Sequence, residues 1–185
     1  MTVLEGALLL NKTAGTSSAI NGTLTIGNYT TAARVEYGSA NAHADQMGVQ
    51  TGIVNHGSTF DLAGKSDTVG AITMTGGLIT TGIGTLTLGG TLTYNIGSAA
   101  VINGNLSLGN ANRTFAINDG QATNDLTINA VITGGGAGGA ITKSNVAGTL
   151  VLNAANNYGG GTTLQGGVLA LGDKAALGSG TLTFN

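Results

Sequence analysis

The chain has 185 residues, with 34 Gly, 28 Thr and 18 Asn but no Pro, Cys or Trp. Charged residues make up only 8% and the net charge is -2, so a nucleic acid or an anionic membrane, which needs a basic surface, is not an expected partner. The hydrophobic share of 41% excludes a solvated linker, the missing Pro excludes collagen, and the missing Cys excludes disulfides and thiolate metal sites.

The opening stretch, Met1 to Leu10, carries Glu5 and no basic segment, so it does not read as a signal peptide. Val3 to Leu10 reads as a cap on the amino end of the fold or as another edge strand. The first copy of a recurring phrase follows as Gly22, Thr23, Leu24, Thr25, Ile26, Gly27. It returns as Gly84 to Gly89 and Gly90 to Asn95, then as Gly104 to Gly109, Asn124 to Asn129, Gly148 to Asn153, Gly167 to Gly172 and Gly180 to Asn185. In most copies apolar residues alternate with small or polar ones between Gly or Asn, which describes a short strand with one buried face and a turn at each end.

Steps near 20 residues between copies are the scale of a solenoid coil, and the shorter steps fit coils that contribute two or three strands each. No apolar run reaches the ~18 residues of a membrane-spanning helix, and no long helical pattern supplies crossovers for an ordinary parallel sheet. A narrow solenoid interior is filled well by Leu, Ile, Val and Ala, and absent Pro preserves a donor at every rung. The expected fold is therefore all-β, a parallel β-helix (β-solenoid) forming one domain over 1–185. At about 20 residues per coil it would make some nine coils and a rod about 40 Å long. Leu86, Leu106, Leu126, Leu150, Leu169 and Leu182 are expected inside, with Thr87, Ser107, Thr127 and Thr183 outside.

The most polar stretch, 34–67, reads as an irregular, loop-rich excursion, with a short helical turn over Ala40 to Met47. His43, Asp45 and His56 are residue types that suit a divalent metal, but their spacing matches no established ligand motif. Asp61, Lys65 and Asp67 are the nearest approach to the acid and base cluster of a polysaccharide lyase. Gly64, Lys65 and Ser66 imitate the end of a phosphate loop, yet Thr59 stands where its first Gly belongs. Gly134, Gly136 and Gly139 have dinucleotide-loop spacing, but Ala140 to Lys143 continues as a strand rather than opening a helix. No catalytic residue, metal or cofactor is expected.

Lys143, then Ala147 to Leu152, then Asn156 to Thr163, then Gly166 to Leu169 make the segment 140–185 resemble the autotransporter-associated β-strand repeat, also called the passenger-associated transport repeat. Ser144, Asn145, Asn157 and Gly159 depart from its usual pattern. A weaker likeness runs through Ser58 to Gly64 and Gly70 to Gly77. The resemblance implies a right-handed parallel β-helix, exported and displayed on a bacterial cell surface or secreted, and it implies no reaction. The function expected on this basis is a non-enzymatic structural or adhesive passenger-type module, self-associating through its solenoid ends or meeting host surfaces or glycans. The alternative is a carbohydrate-active, lyase-like β-helix or a glycan-binding module. An open carboxyl-terminal strand, Gly180 to Asn185, would carry the self-association, and Lys or Pro at Thr181 or Thr183 would obstruct it.

Overall fold

A computed structural model describes residues 1–13, 18–38, 45–134, 139–144 and 147–185. Among them there is no helix. The first strands are β1 (Thr2–Val3), β2 (Gly6–Leu10), β3 (Leu24–Ile26), β4 (Ala33–Tyr37), β5 (Gly52–Val54), β6 (Thr59–Asp61), β7 (Asp67–Val69) and β8 (Ile72–Met74). The central ones are β9 (Gly77–Leu88), β10 (Leu92–Tyr94), β11 (Ala100–Ser107), β12 (Arg113–Ile117), β13 (Leu126–Ile128) and β14 (Val131–Thr133). The last are β15 (Ile141–Lys143), β16 (Thr149–Leu152), β17 (Thr162–Leu164), β18 (Val168–Leu171) and β19 (Leu182–Phe184).

All strand pairs are parallel, and the strands stack as a β-solenoid. Sheet A runs β1-β3-β5-β8-β10-β12-β15-β17-β19, and sheet B runs β2-β4-β6-β9-β11-β13-β16-β18. A third wall is made by β7, the second half of β9, the second half of β11, and β14. A coil therefore passes from sheet A to sheet B to the third wall and back. Eight strands in sheet B define seven coil-to-coil steps, fewer than the some nine coils expected. Coil length explains the difference: partners lie 20 residues apart at Ile53↔Thr73 but 28 apart at Phe115↔Lys143.

Register turns the alternating phrases into continuous inward columns, because the period-two pattern keeps one face of every strand pointing inside. In sheet B the column is Leu8, Val35, Phe60, Ile79, Ile102, Ile128, Leu152, Leu171. In sheet A it is Leu24, Gly52, Ile72, Leu92, Phe115, Lys143, Leu164, Phe184. Each fully buried Leu or Ile contributes roughly 1.5–3 kcal/mol against exposure. Tyr37 and Phe60 add an edge-to-face contact, with ring centroids 5.7 Å apart.

Leu86, Leu106, Leu126 and Leu150 are buried, as expected. Leu169 and Leu182 continue the inward face but are only half-buried, since they lie in the last coils of the chain. Thr87, Ser107 and Thr127 are half-buried and Thr183 is exposed. Val3 to Leu10 is the first coil rather than a cap: β1 pairs only with β3, and β2 only with β4. The stretch 34–67 supplies β4 to β7, or parts of them, to the ladder. Of the turn read over Ala40 to Met47, residues 40–44 lie outside the described residues, as does His43.

Candidate functional site

The polar residues of 34–67 are distributed over different walls. Arg34, on the outer face of β4, donates from Nη2 to Asp61 Oδ2 at 2.6 Å and from Nε to Glu36 Oε2 at 2.9 Å. Asp61 Oδ1 also accepts the Ala63 N–H at 2.7 Å, so this carboxylate closes a turn and a surface ion pair. Asp67 points the other way, into the core of the third wall. Its Oδ2 accepts the Tyr37 hydroxyl and the N–H groups of Gln46 and Met47, the last two at 3.0 and 2.9 Å. Burial pushes its pKa above the usual carboxylate range, and the Asp45 charge pushes in the same direction, against the pull of these donors. Asp61 and Asp67 thus face opposite sides of the coil.

Asp45 accepts the Gly48 N–H at 2.7 Å, whereas His56 lies beside sheet A with Ser98, so the two line different hollows. Ser66 Oγ accepts the Thr85 N–H at 3.0 Å, which makes Gly64 to Ser66 a link between coils. After Gly139 the chain forms β15, as the strand reading requires, and Gly136 lies outside the described residues.

Side chains repeatedly supply ladder bonds where coil lengths do not match. Asn156 Oδ1 accepts the Ile132 N–H at 2.8 Å while its Nδ2 donates to Ala176 O. Asp125 bridges two coils by accepting from Gly120 and Thr149, each at 2.7 Å. Asn55 donates to Gly27 O and accepts from Thr75 Oγ1, both at 2.9 Å. Among the described residues no buried side-chain nitrogen or oxygen lacks a partner. Lys143 follows the same rule from inside sheet A, its Nζ donating to Gly166 O at 2.8 Å. Burial lowers its pKa and the Asp125 charge opposes that shift. On the outside, Asn103, Asn129 and Asn153 form an amide ladder with bonds of 2.9 and 2.8 Å.

Three hollows interrupt the walls. One of about 430 Å³ lies on the third wall near Asp45, Asp67 and Thr87. Another, about 520 Å³, lies at the amino-terminal coil and is lined by Met1 to Leu8. The remaining one, about 270 Å³, is a groove beside sheet A lined by Tyr29, His56, Thr75, Ile96, Gly97, Ser98 and Gln121.

The groove is built by local geometry. Asn28 Oδ1 accepts the N–H groups of Thr30 and Thr31, each at 2.7 Å, and Asn28 N–H reaches Thr31 O at 3.0 Å, so a closed turn presents Tyr29. His56 Nδ1 and Ser98 Oγ share a hydrogen bond of 2.5 Å across the intervening coil. Gly76 makes that reach possible, for a Cβ there would stand 2.2 Å from Ser98 Oγ. Its φ of 134° also suits glycine. Sequence reading singled out His56 but not Tyr29, Ser98 or Gln121. The Asn-x-Thr-Thr turn at 28–31 is the local signal that marks Tyr29. Comparison with protein families, characterised proteins and solved structures found no match.

Proposed function

We propose that the chain is a non-enzymatic structural or adhesive module of a bacterial surface or secreted protein, of passenger type, whose coils stack end to end with a second copy. The carrying observation is the state of the terminal strands. Within this chain β1, β2, β18 and β19 each pair on one side only. Their inward columns end in exposed apolar residues, Phe184 at 71% and Leu171 at 47% at one end and Met1 at 61% at the other. A strand edge backed by uncovered core residues is a surface for further parallel pairing. The resemblance of 140–185 to the passenger repeat supports the same reading.

Register specifies the contact. Thr162 N–H donates to Thr181 O and Asn185 N–H to Leu164 O, so the odd-numbered residues of the last strand bond to β17. Leu182 and Phe184 therefore turn their N–H and C=O groups to the open edge, and they replace Thr181 and Thr183 as the positions to block. Because β19 follows β18 and β1 precedes β2, two copies meet through sheet A, with β18 and β2 a strand's width short of contact.

Sedimentation equilibrium over a concentration series tests the reading. The mass should rise above 18.0 kDa in wild type. Phe184→Lys, which puts a charge on an already exposed end face, should stay monomeric. A wild type that remains monomeric throughout, or a variant that grows equally, would overturn it.

A further inference from the structure

We propose that the groove beside sheet A binds a neutral oligosaccharide, with a sugar face stacked on Tyr29 and hydroxyls bonded by His56, Ser98 and Gln121. The site is separate from the terminal strands and goes beyond the stacking role.

Its dimensions suit a chain of sugars. Tyr29, His56, Thr75, Ser98 and Gln121 follow β3, β5, β8, β10 and β12, which are consecutive strands of sheet A. Four coil steps of ~4.8 Å give a track about 19 Å long parallel to the solenoid axis. An extended ligand running along the stack would meet one coil after another.

Its chemistry suits a sugar surface, which alternates apolar C–H faces with hydroxyls. Tyr29 is 68% exposed while Tyr37, Tyr94 and Tyr158 are at most 1% exposed, so one aromatic ring of four is offered to solvent. Ile96, 66% exposed, extends the apolar strip. The groove's described lining contains no Asp, Glu, Lys or Arg, which fits an uncharged ligand. A nucleic acid strand would call for cations along such a track. The Asn28 turn holds the Tyr29 backbone before any ligand arrives, and the His56–Ser98 bond fixes the floor, so little order has to be imposed on binding.

The experiment titrates the protein with cellotetraose, maltotetraose and tetra-N-acetylchitotetraose by calorimetry, alongside tyrosine fluorescence, which is readable in a chain with no Trp. At least one tetrasaccharide should bind. Tyr29→Ala should weaken it about tenfold or more, Gln121→Ala less, and Tyr29→Phe should bind nearly as wild type because the ring face remains. Tyr29 is exposed, so its variants should keep the wild-type melting temperature, and Phe184→Lys should bind normally whether or not copies stack. Binding by none of the three sugars would overturn the proposal. So would binding that survives Tyr29→Ala, or a preference for a charged oligosaccharide or single-stranded DNA.

Discussion

Asp67 and Leu86 occupy the same inward column of the third wall on successive coils, so a carboxylate stands where the coils above it place Leu86, Leu106 and Ile132. The coil below explains the exchange. There the chain at Gln46 and Met47 donates its N–H groups to the Asp67 side chain, and the Tyr37 hydroxyl donates to the same oxygen. A leucine at this position would leave those donors buried without acceptors.

A pH dependence follows. Burial raises the pKa of Asp67 above its ordinary 3.8, so the folded chain holds this proton more tightly than the unfolded chain does. Its contribution to stability is therefore greatest below the unfolded value and is lost as pH rises through the raised value. Asp67→Asn keeps an acceptor and has no proton to lose. The stability of wild type relative to Asp67→Asn, measured by urea unfolding between about pH 4 and about pH 7, should fall as pH rises. A difference that stays constant or grows with pH would contradict the assignment.

The core columns predict an asymmetry between neighbouring faces of stacked strands. Leu150 is fully buried in register with Leu126, while Thr127 points outward beside Val151. Leu150→Asp should cost more than about 4 kcal/mol or prevent folding, because it buries an unpaired charge and removes a core side chain. Thr127→Asp should cost within about 1 kcal/mol. Equal losses in chemical denaturation would show that the faces are reversed.

The recurring strand phrase makes the parallel solenoid legible, since every Leu-x-Leu or Leu-x-Ile copy carries its own period-two pattern. Asp67 and Lys143 are not legible in the same way: an ionisable residue reads as a solvated turn, and only the neighbouring coils show that each completes a buried ladder. Coil number was overestimated because the long corners at 26–52 and 115–141 carry no strand phrase. The groove is the least legible feature. Tyr29, His56, Ser98 and Gln121 come from different coils and are joined only by register, although the Asn28 turn is visible locally.

Close stacking predicts opposite outcomes for two glycines. A Cβ on Gly84 would stand 2.0 Å from Lys65 O, a backbone atom of the coil below, whereas a Cβ on Gly52 would meet only Val69 Cγ1 at an ordinary 3.6 Å. Gly84→Ala should destabilise by about 1–3 kcal/mol through a forced backbone shift. Gly52→Ala should be neutral or stabilise by up to about 1 kcal/mol, because the unfolded chain loses freedom while the inward column gains a methyl. Urea midpoints of the two variants measure this, and a loss in Gly52→Ala as large as in Gly84→Ala would refute the packing.

Small-angle X-ray scattering across a concentration series tests both parts of the account together, the solenoid and its stacking. At low concentration the protein should scatter as a short rod, with seven to eight coil steps of ~4.8 Å giving a length of about 34–38 Å. As concentration rises, the length should grow while the cross-sectional radius stays constant. Growth in cross-section, or a particle whose dimensions never change, would contradict end-to-end stacking of coils.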